Sequence, residues 1–308
     1  MNLKQTLAAF ILVTFFIFVF IDNTLAQNMY CKIGGSYNAS FNSQVIASDY
    51  NFITSDSLSG YFSNTVEKGT YSSFGKGLSF SASLGYAFRP ILAFELGVSY
   101  LQSDSYLNHV YDKRTYYGGT YDSYSETDKL TAAMWSTNPS LVFSTHTGKL
   151  TPYAKVGMVI GFASKSTEFT TIQDNINGSF TYKGVRDFYS TVSYGTSSAL
   201  GISYFLSNKV MIAAEVNMVN ISVDFTKSEV TSLSSATGVN ILPYQTTSFT
   251  KISYEKEYTQ SNTNKASTNT SEPRKNLLVP TPFSSIGFGI SLIFKIDTKS
   301  WFEDTDTE

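Results

Sequence analysis

Eight stretches of this chain set large apolar or aromatic side chains at every second position, and in the clearest of them little but glycine, serine or alanine stands between. In residues 77–88, Leu78, Phe80, Ala82, Leu84, Tyr86 and Phe88 alternate with Gly77, Ser79, Ser81, Ser83, Gly85 and Ala87. A period of two is the period of a β-strand. A sheet in water hides its apolar face and shows charge on the other, whereas here the second face is made of very small residues. Hydrocarbon outside and a narrow packed interior inside account for both faces. Hydrocarbon cannot hydrogen-bond an open sheet edge, so such a sheet must close on itself.

The same alternation recurs along the chain. Cys31, Ile33, Tyr37, Ala39 and Phe41 oppose Lys32, Gly34, Ser36, Asn38 and Ser40; Leu92, Phe94, Leu96, Val98 and Tyr100 oppose Ala93, Glu95, Gly97 and Ser99. A fourth strand is expected over Trp135–Phe143, weakened by Pro139 because proline cannot donate to a ladder. The fifth sets Pro152, Ala154, Val156, Met158, Ile160 and Phe162 against Tyr153, Lys155, Gly157, Val159 and Gly161. The sixth runs from about Val192 to Leu206 with Leu200, Ile202 and Tyr204 outward. In the seventh, Val210, Ile212, Ala214 and Val216 face one way, after which the apolar phase moves to Val219, Ile221, Val223 and Phe225, as a β-bulge would move it. The eighth sets Ile286, Phe288, Ile290, Leu292, Phe294 and Ile296 against Ser285, Gly287, Gly289, Ser291, Ile293 and Lys295.

The connections carry the topology. Those after the second, fourth and sixth strands are short turns, and those after the first, third, fifth and seventh are long and rich in Ser, Thr, Asn, Tyr and Asp. An up-and-down antiparallel barrel that crosses a membrane puts its short turns on one side and its long loops on the other. The fold expected is therefore all-β: an eight-stranded antiparallel up-and-down transmembrane β-barrel with short periplasmic turns and long extracellular loops. Leu84, Phe94, Leu96, Val156, Ile160, Ile202, Ile212, Phe288, Ile290 and Leu292 are expected to face lipid, with Tyr86, Phe88, Tyr100, Trp135, Tyr204 and Phe294 at the interfacial girdles. Lys32, Glu95, Lys155, Glu215 and Lys295 all fall on the small-residue face. A lone desolvated charge is costly, so these five are expected to form a luminal charge network. Such a network either fills and rigidifies the barrel or gates a small conductance.

Composition narrows the rest. Charged residues make up 15% of the 308 residues and the net charge is -2, which leaves no basic footprint for nucleic acid. Met1–Lys4, the apolar run from Leu7 to Ile21 and Thr24-Leu25-Ala26 read as a signal peptide over residues 1–26. Beyond it no apolar run is long enough for a membrane helix. The single cysteine, Cys31, permits no intrachain disulfide, and Tyr30 before it is too large for a lipidation motif. No phosphate-binding, dinucleotide, calcium or zinc motif is present, so no cofactor, metal or catalytic residue is expected. The two histidines, His109 in a long loop and His146 in a short turn, belong on opposite sides of the membrane; a site of His109 with Asp104 and Ser105 is the one catalytic arrangement conceivable.

The strings "LGYAFRPILAFELGVSYL" (84–101), "TPYAKVGMVIG" (151–161), "ALGISYFLSNKVMIAAEVNMVNISV" (199–223) and "GFGISLIFKI" (287–296) resemble the small outer-membrane β-barrel domain family of Gram-negative bacteria, with its OmpA-, OmpX- and OmpW-like members and many proteins of the Bacteroidetes. The resemblance implies eight strands, periplasmic termini and insertion by the outer-membrane assembly machinery among lipid and lipopolysaccharide. Two departures stand out: there is no peptidoglycan-binding domain, and an acidic tail, residues 297–308, follows the barrel domain of residues 27–296. The expected role is structural or surface interaction, with a protein or glycan partner met by the long loops. Residues 111–129 and the stretch from 226 to 276 carry tyrosines and hydroxyls suited to adaptable contacts, or extend the strands; residues 261–275 read as a mobile tip. The alternatives are a narrow channel or carrier for small or hydrophobic molecules, and an accessory subunit of a secretion or assembly machine.

Overall fold

The computed structural model describes residues 29–57, 60–116, 121–145, 149–175, 178–257 and 270–296. The expected signal peptide, the acidic tail, His146 and most of the 261–275 tip lie outside the described residues. In chain order the strands are β1 (Met29–Ser40), β2 (Gln44–Ser57), β3 (Gly60–Ser72), β4 (Gly77–Arg89), β5 (Leu92–Ser103), β6 (Tyr106–Thr115), β7 (Tyr121–Ser144), β8 (Leu150–Asn175), β9 (Gly178–Ser190), β10 (Ser193–Phe205), β11 (Val210–Asn220), β12 (Ser222–Val223), β13 (Phe225–Ser235), β14 (Lys251–Glu255), β15 (Arg274–Leu277), β16 (Thr281–Pro282) and β17 (Ser285–Ile296).

Eight of these close a ring in the order β1-β4-β5-β7-β8-β10-β11-β17, with β17 returning to β1, and every neighbouring pair in the ring is antiparallel. They coincide with the eight alternating stretches of the sequence. Outside the ring, Phe94, Val156, Ile202, Ile212, Phe288, Ile290 and Leu292 are exposed, and Phe288 shows 60% of its surface. Leu84, Leu96 and Ile160 are half-buried among neighbours on that same wall, where Leu84 pairs with Leu96. A closed ladder with a greasy exterior is a barrel embedded in a membrane. Aromatic pairs mark both rims: Tyr86 with Phe88 (centroids 5.0 Å apart) near the short turns, and Tyr100 with Trp135 (4.9 Å) toward the long connections. Ile290 sits mid-strand in β17, so Ile290→Arg is expected to cost about 2–4 kcal/mol in lipid. The heat-modifiable gel shift that separates folded from unfolded barrel reads this out, and an unchanged midpoint would deny that the face meets hydrocarbon.

Pro139 is accommodated inside a continuous β7. It pairs with Leu96 of β5, whereas the β7–β8 ladder passes from Thr137↔Ile160 to Ser140↔Gly157 and leaves positions 138 and 139 unpaired on that side. The missing N–H falls in that gap, and Gly157 lets the Pro139 carbonyl approach where a Cβ would collide with it.

The bulge expected in the seventh strand is absent. β11 pairs with β10 from Met211↔Phe205 to Asn220↔Thr196 without a register shift. Burial keeps its parity throughout: Ala213, Ile221, Val223 and Phe225 are buried, and Ile212, Val216 and Asn220 are exposed. The backbone does not slip; the interior it faces changes from polar to apolar. Val219, Ile221, Val223 and Phe225 enter a hydrophobic cluster with Phe74, Leu101, Tyr106, Met134, Val159 and Phe283. Phe74 and Phe283, each at most 1% exposed, pack with their rings tilted and their centroids 5.8 Å apart. They are carried by two inturned segments that are tied together, Phe74 N–H donating to the Pro282 carbonyl (2.9 Å) and Phe283 N–H to that of Ile221 (2.9 Å). This apolar plug packs inside the ring toward the long connections.

Much of what reads as loop in the sequence is strand. β7 and β8 run to 24 and 26 residues, about twice a membrane-crossing length. β8 pairs with β10 over 150–161 and with β9 over 164–175, so its second half has left the ring. There it belongs to an open sheet ordered β15-β14-β13-β9-β8-β7-β6-β2-β3, with a short helix α1 (Thr247–Thr250) beside it. At about 3.3 Å per residue the part of β8 beyond the ring is roughly 40 Å long.

Candidate functional site

Four of the five charges placed on the small-residue face meet in the lumen. Lys32 Nζ lies 2.6 Å from Glu215 Oε2 and Lys155 Nζ 2.9 Å from Glu95 Oε1, all four side chains being largely buried. Two tyrosines complete the shell: Tyr153 donates its hydroxyl to Glu215 (2.8 Å) and Tyr30 donates to Glu95 (3.2 Å). Lys32 Nζ also reaches the Tyr153 oxygen at 3.4 Å. Two cations and two carboxylates cancel, and the phenols satisfy lone pairs that a buried carboxylate would otherwise leave bare. Space for the tyrosines comes from glycine: a Cβ at Gly85 would overlap the Tyr30 ring and one at Gly201 the Tyr153 ring. The tyrosines were not among the expected site residues. Their signal was present, since both stand in phase with the lysines, as large side chains on a face otherwise kept small.

Lys295 does not join this network. It is exposed at the short-turn rim, its ammonium 4.8 Å from the Phe205 ring, because its position near the end of β17 lies beyond the layer where the carboxylates sit.

The lumen thus holds two packed layers in series: the plug toward the long connections, and the paired charges with their tyrosines below it. Between the charges and the short turns lies a cavity of about 390 Å³.

At the base of the extension Lys165, which the sequence reading had not singled out, is enclosed by aromatic rings. Its Nζ stands 4.1, 5.3 and 6.0 Å from the rings of Phe188, Phe225 and Phe74, with no carboxylate bonded to it among the described residues. Burial pushes its ammonium down to about 8 from an ordinary 10.5. Between those two values the unfolded chain binds the more protons, so stability should rise with pH there. The gain is expected to be about 1–3 kcal/mol once the cation–π attraction is set against desolvation. Urea midpoints measured across pH 7–11 on wild type and Lys165→Met test this: the rise must vanish in the variant. Asp128 is shifted too, raised to about 6 by burial and by the charge of Glu126, with one oxygen accepting from Asn108 at 3.2 Å.

The conceivable histidine site is not assembled. His109 Nδ1 is 3.1 Å from Thr127 Oγ1 and its backbone N–H donates to Asp49, while Asp104 is engaged by Lys76 (3.2 Å) and Tyr37 (3.1 Å). Among the described residues no cluster of His, Cys, Asp and Glu could hold a metal.

No protein-family profile matches the sequence, and no curated protein does. Among solved structures the chain is similar to Neisserial surface protein A, at 12% identity and a TM-score of 0.35, over 87% of this chain and 97% of that one. A likeness that distant carries no argument, and the fold rests on the strand pairing described above.

Proposed function

We propose that this protein is a surface barrel of the Gram-negative outer membrane whose extended sheet is a contact platform and whose lumen passes no solute. The observation that carries the reading is the continuation of β7 and β8 out of the ring into a tall open sheet. On it Phe62, Tyr111, Tyr116, Tyr121 and Phe180 are exposed. Rigid aromatics set among serine, glycine and asparagine suit adaptable contact with protein or glycan at low entropic cost. A structural anchor would need no such superstructure, and a pore would need an open lumen. The plug and the charge layer favour a closed barrel over a channel, and no catalytic step enters this reading. Insertion would be by the outer-membrane assembly machinery, with lipid and lipopolysaccharide around the girdles.

The test uses cells displaying either the wild-type chain or one with those five aromatics changed to serine. Both should show the folded, heat-modifiable band, and only wild type should bind immobilised glycans or vesicles of neighbouring cells. Equal binding by the two, or stepwise conductance of the wild-type barrel in planar bilayers, overturns the proposal.

A further inference from the structure

The cavity at the short-turn end has features that neither the platform nor the charge network uses. Its walls are apolar, with Met29, Leu92, Val142, Phe205, Met211 and Ile293 among the lining residues, and its floor is the Tyr30 and Tyr153 side of the ion-pair layer. Its volume, about 390 Å³, falls within the range of pockets that hold small molecules. Three cations line it, of which Lys32 is bonded to Glu215; the other two are Arg89 and Lys295. Neither has a carboxylate partner among the described residues; the carboxylate that shares the cavity, Glu95, is already held by Lys155 and Tyr30. The hydroxyl of Thr151, on the same wall, is buried without a hydrogen-bond partner, and the residue is 6% exposed. Buried hydroxyls are rarely left so, and this one belongs to a residue of the cavity wall.

From these we infer that the short-turn end of the lumen binds a single-chain amphipathic anion: a carboxylate or monoalkyl phosphate head between Arg89 and Lys295, its hydrocarbon against the apolar wall. The head can come from a free molecule or from a membrane lipid, but a diacyl lipid is too bulky for a cavity of this size. The inference goes beyond the surface role and does not depend on it, because the platform lies past the plug at the opposite mouth.

The protein in lipid nanodiscs would be irradiated with octanoate carrying a diazirine, and the adducts mapped by mass spectrometry. Adducts are expected at Met29, Phe205, Met211 or Ile293, suppressed by unlabelled octanoate and not by octylamine. Arg89→Glu with Lys295→Glu should lower labelling about tenfold or more, since both charge-assisted contacts are lost. Thr151→Val, which keeps the volume and removes only the hydroxyl, should lower it several-fold and covers the case in which the double variant does not fold. In a parallel arm, phosphatidylglycerol with a diazirine in one chain should mark outward residues such as Val156 and Phe288 and leave the cavity unmarked. Octanoate adducts confined to outward residues, labelling indifferent to these substitutions, or a cavity marked by the diacyl lipid instead of octanoate would each overturn the inference.

Discussion

Glu215→Ala, with Lys32 retained, is expected to destabilise the folded barrel by about 3–5 kcal/mol, because it strands a buried ammonium whose 2.6 Å partner is gone. The loss should come from the orphaned charge and not from a missing contact. Lys32→Met combined with Glu215→Leu therefore should recover most of it: exchanging a whole buried pair for apolar side chains is usually neutral, or stabilising by about 1–4 kcal/mol. Urea titration followed by tryptophan emission, with the gel shift as a second probe, measures both variants. A single variant within 1 kcal/mol of wild type, by the error of such fits about one part in ten, would mean that water reaches the layer and the lumen is open.

Phe74→Ala is the second large effect, about 3–5 kcal/mol, the cost of hollowing a packed core around a fully enclosed ring. The ring stands edge-on to Tyr106 at 5.5 Å and against Phe283, so the cavity left behind is walled by groups that the barrel itself holds apart. Because Phe74 and Phe283 touch, the two alanine variants combined should fall short of the sum of their separate costs. Planar-bilayer recordings of Phe74→Ala should stay silent, since the ion-pair layer still blocks the lumen. Strict additivity would show that the two rings do not pack as one unit, and conductance on loss of this one ring would show that the ion-pair layer does not close the lumen.

The sequence disclosed the ring almost residue for residue, because lipid outside and small residues inside impose one parity on every strand and leave little room for other patterns. It disclosed four of the luminal charges for the same reason, a charge on the small face having nowhere else to go. Lys295 shared that parity and misled, since parity tells which way a side chain points and says nothing of its depth. The apolar run from Val219 to Phe225 misled in the opposite sense. Apolar residues in phase with Glu215 look like a slipped strand if the inward face is polar throughout, whereas the barrel interior itself turns apolar at that height. The extension was the least legible part. Its strands mix polar and aromatic residues on both faces, so that alternation fades, and they pair at long range, β9 with β13 and β2 in parallel with β6.

The seam between β1 and β17 joins Met29 to Ile296 and Ser40 to Ser285, the first and last strands of the ring. Every other ring pair can form as the chain is laid down, but this one waits for the end, and until then a curled sheet stands with two bare margins. In hydrocarbon each unmatched amide along those margins is costly. Closing the ring is thus the pairing that must join the two ends of the barrel, a contact of long sequence separation and so of high loop-closure cost.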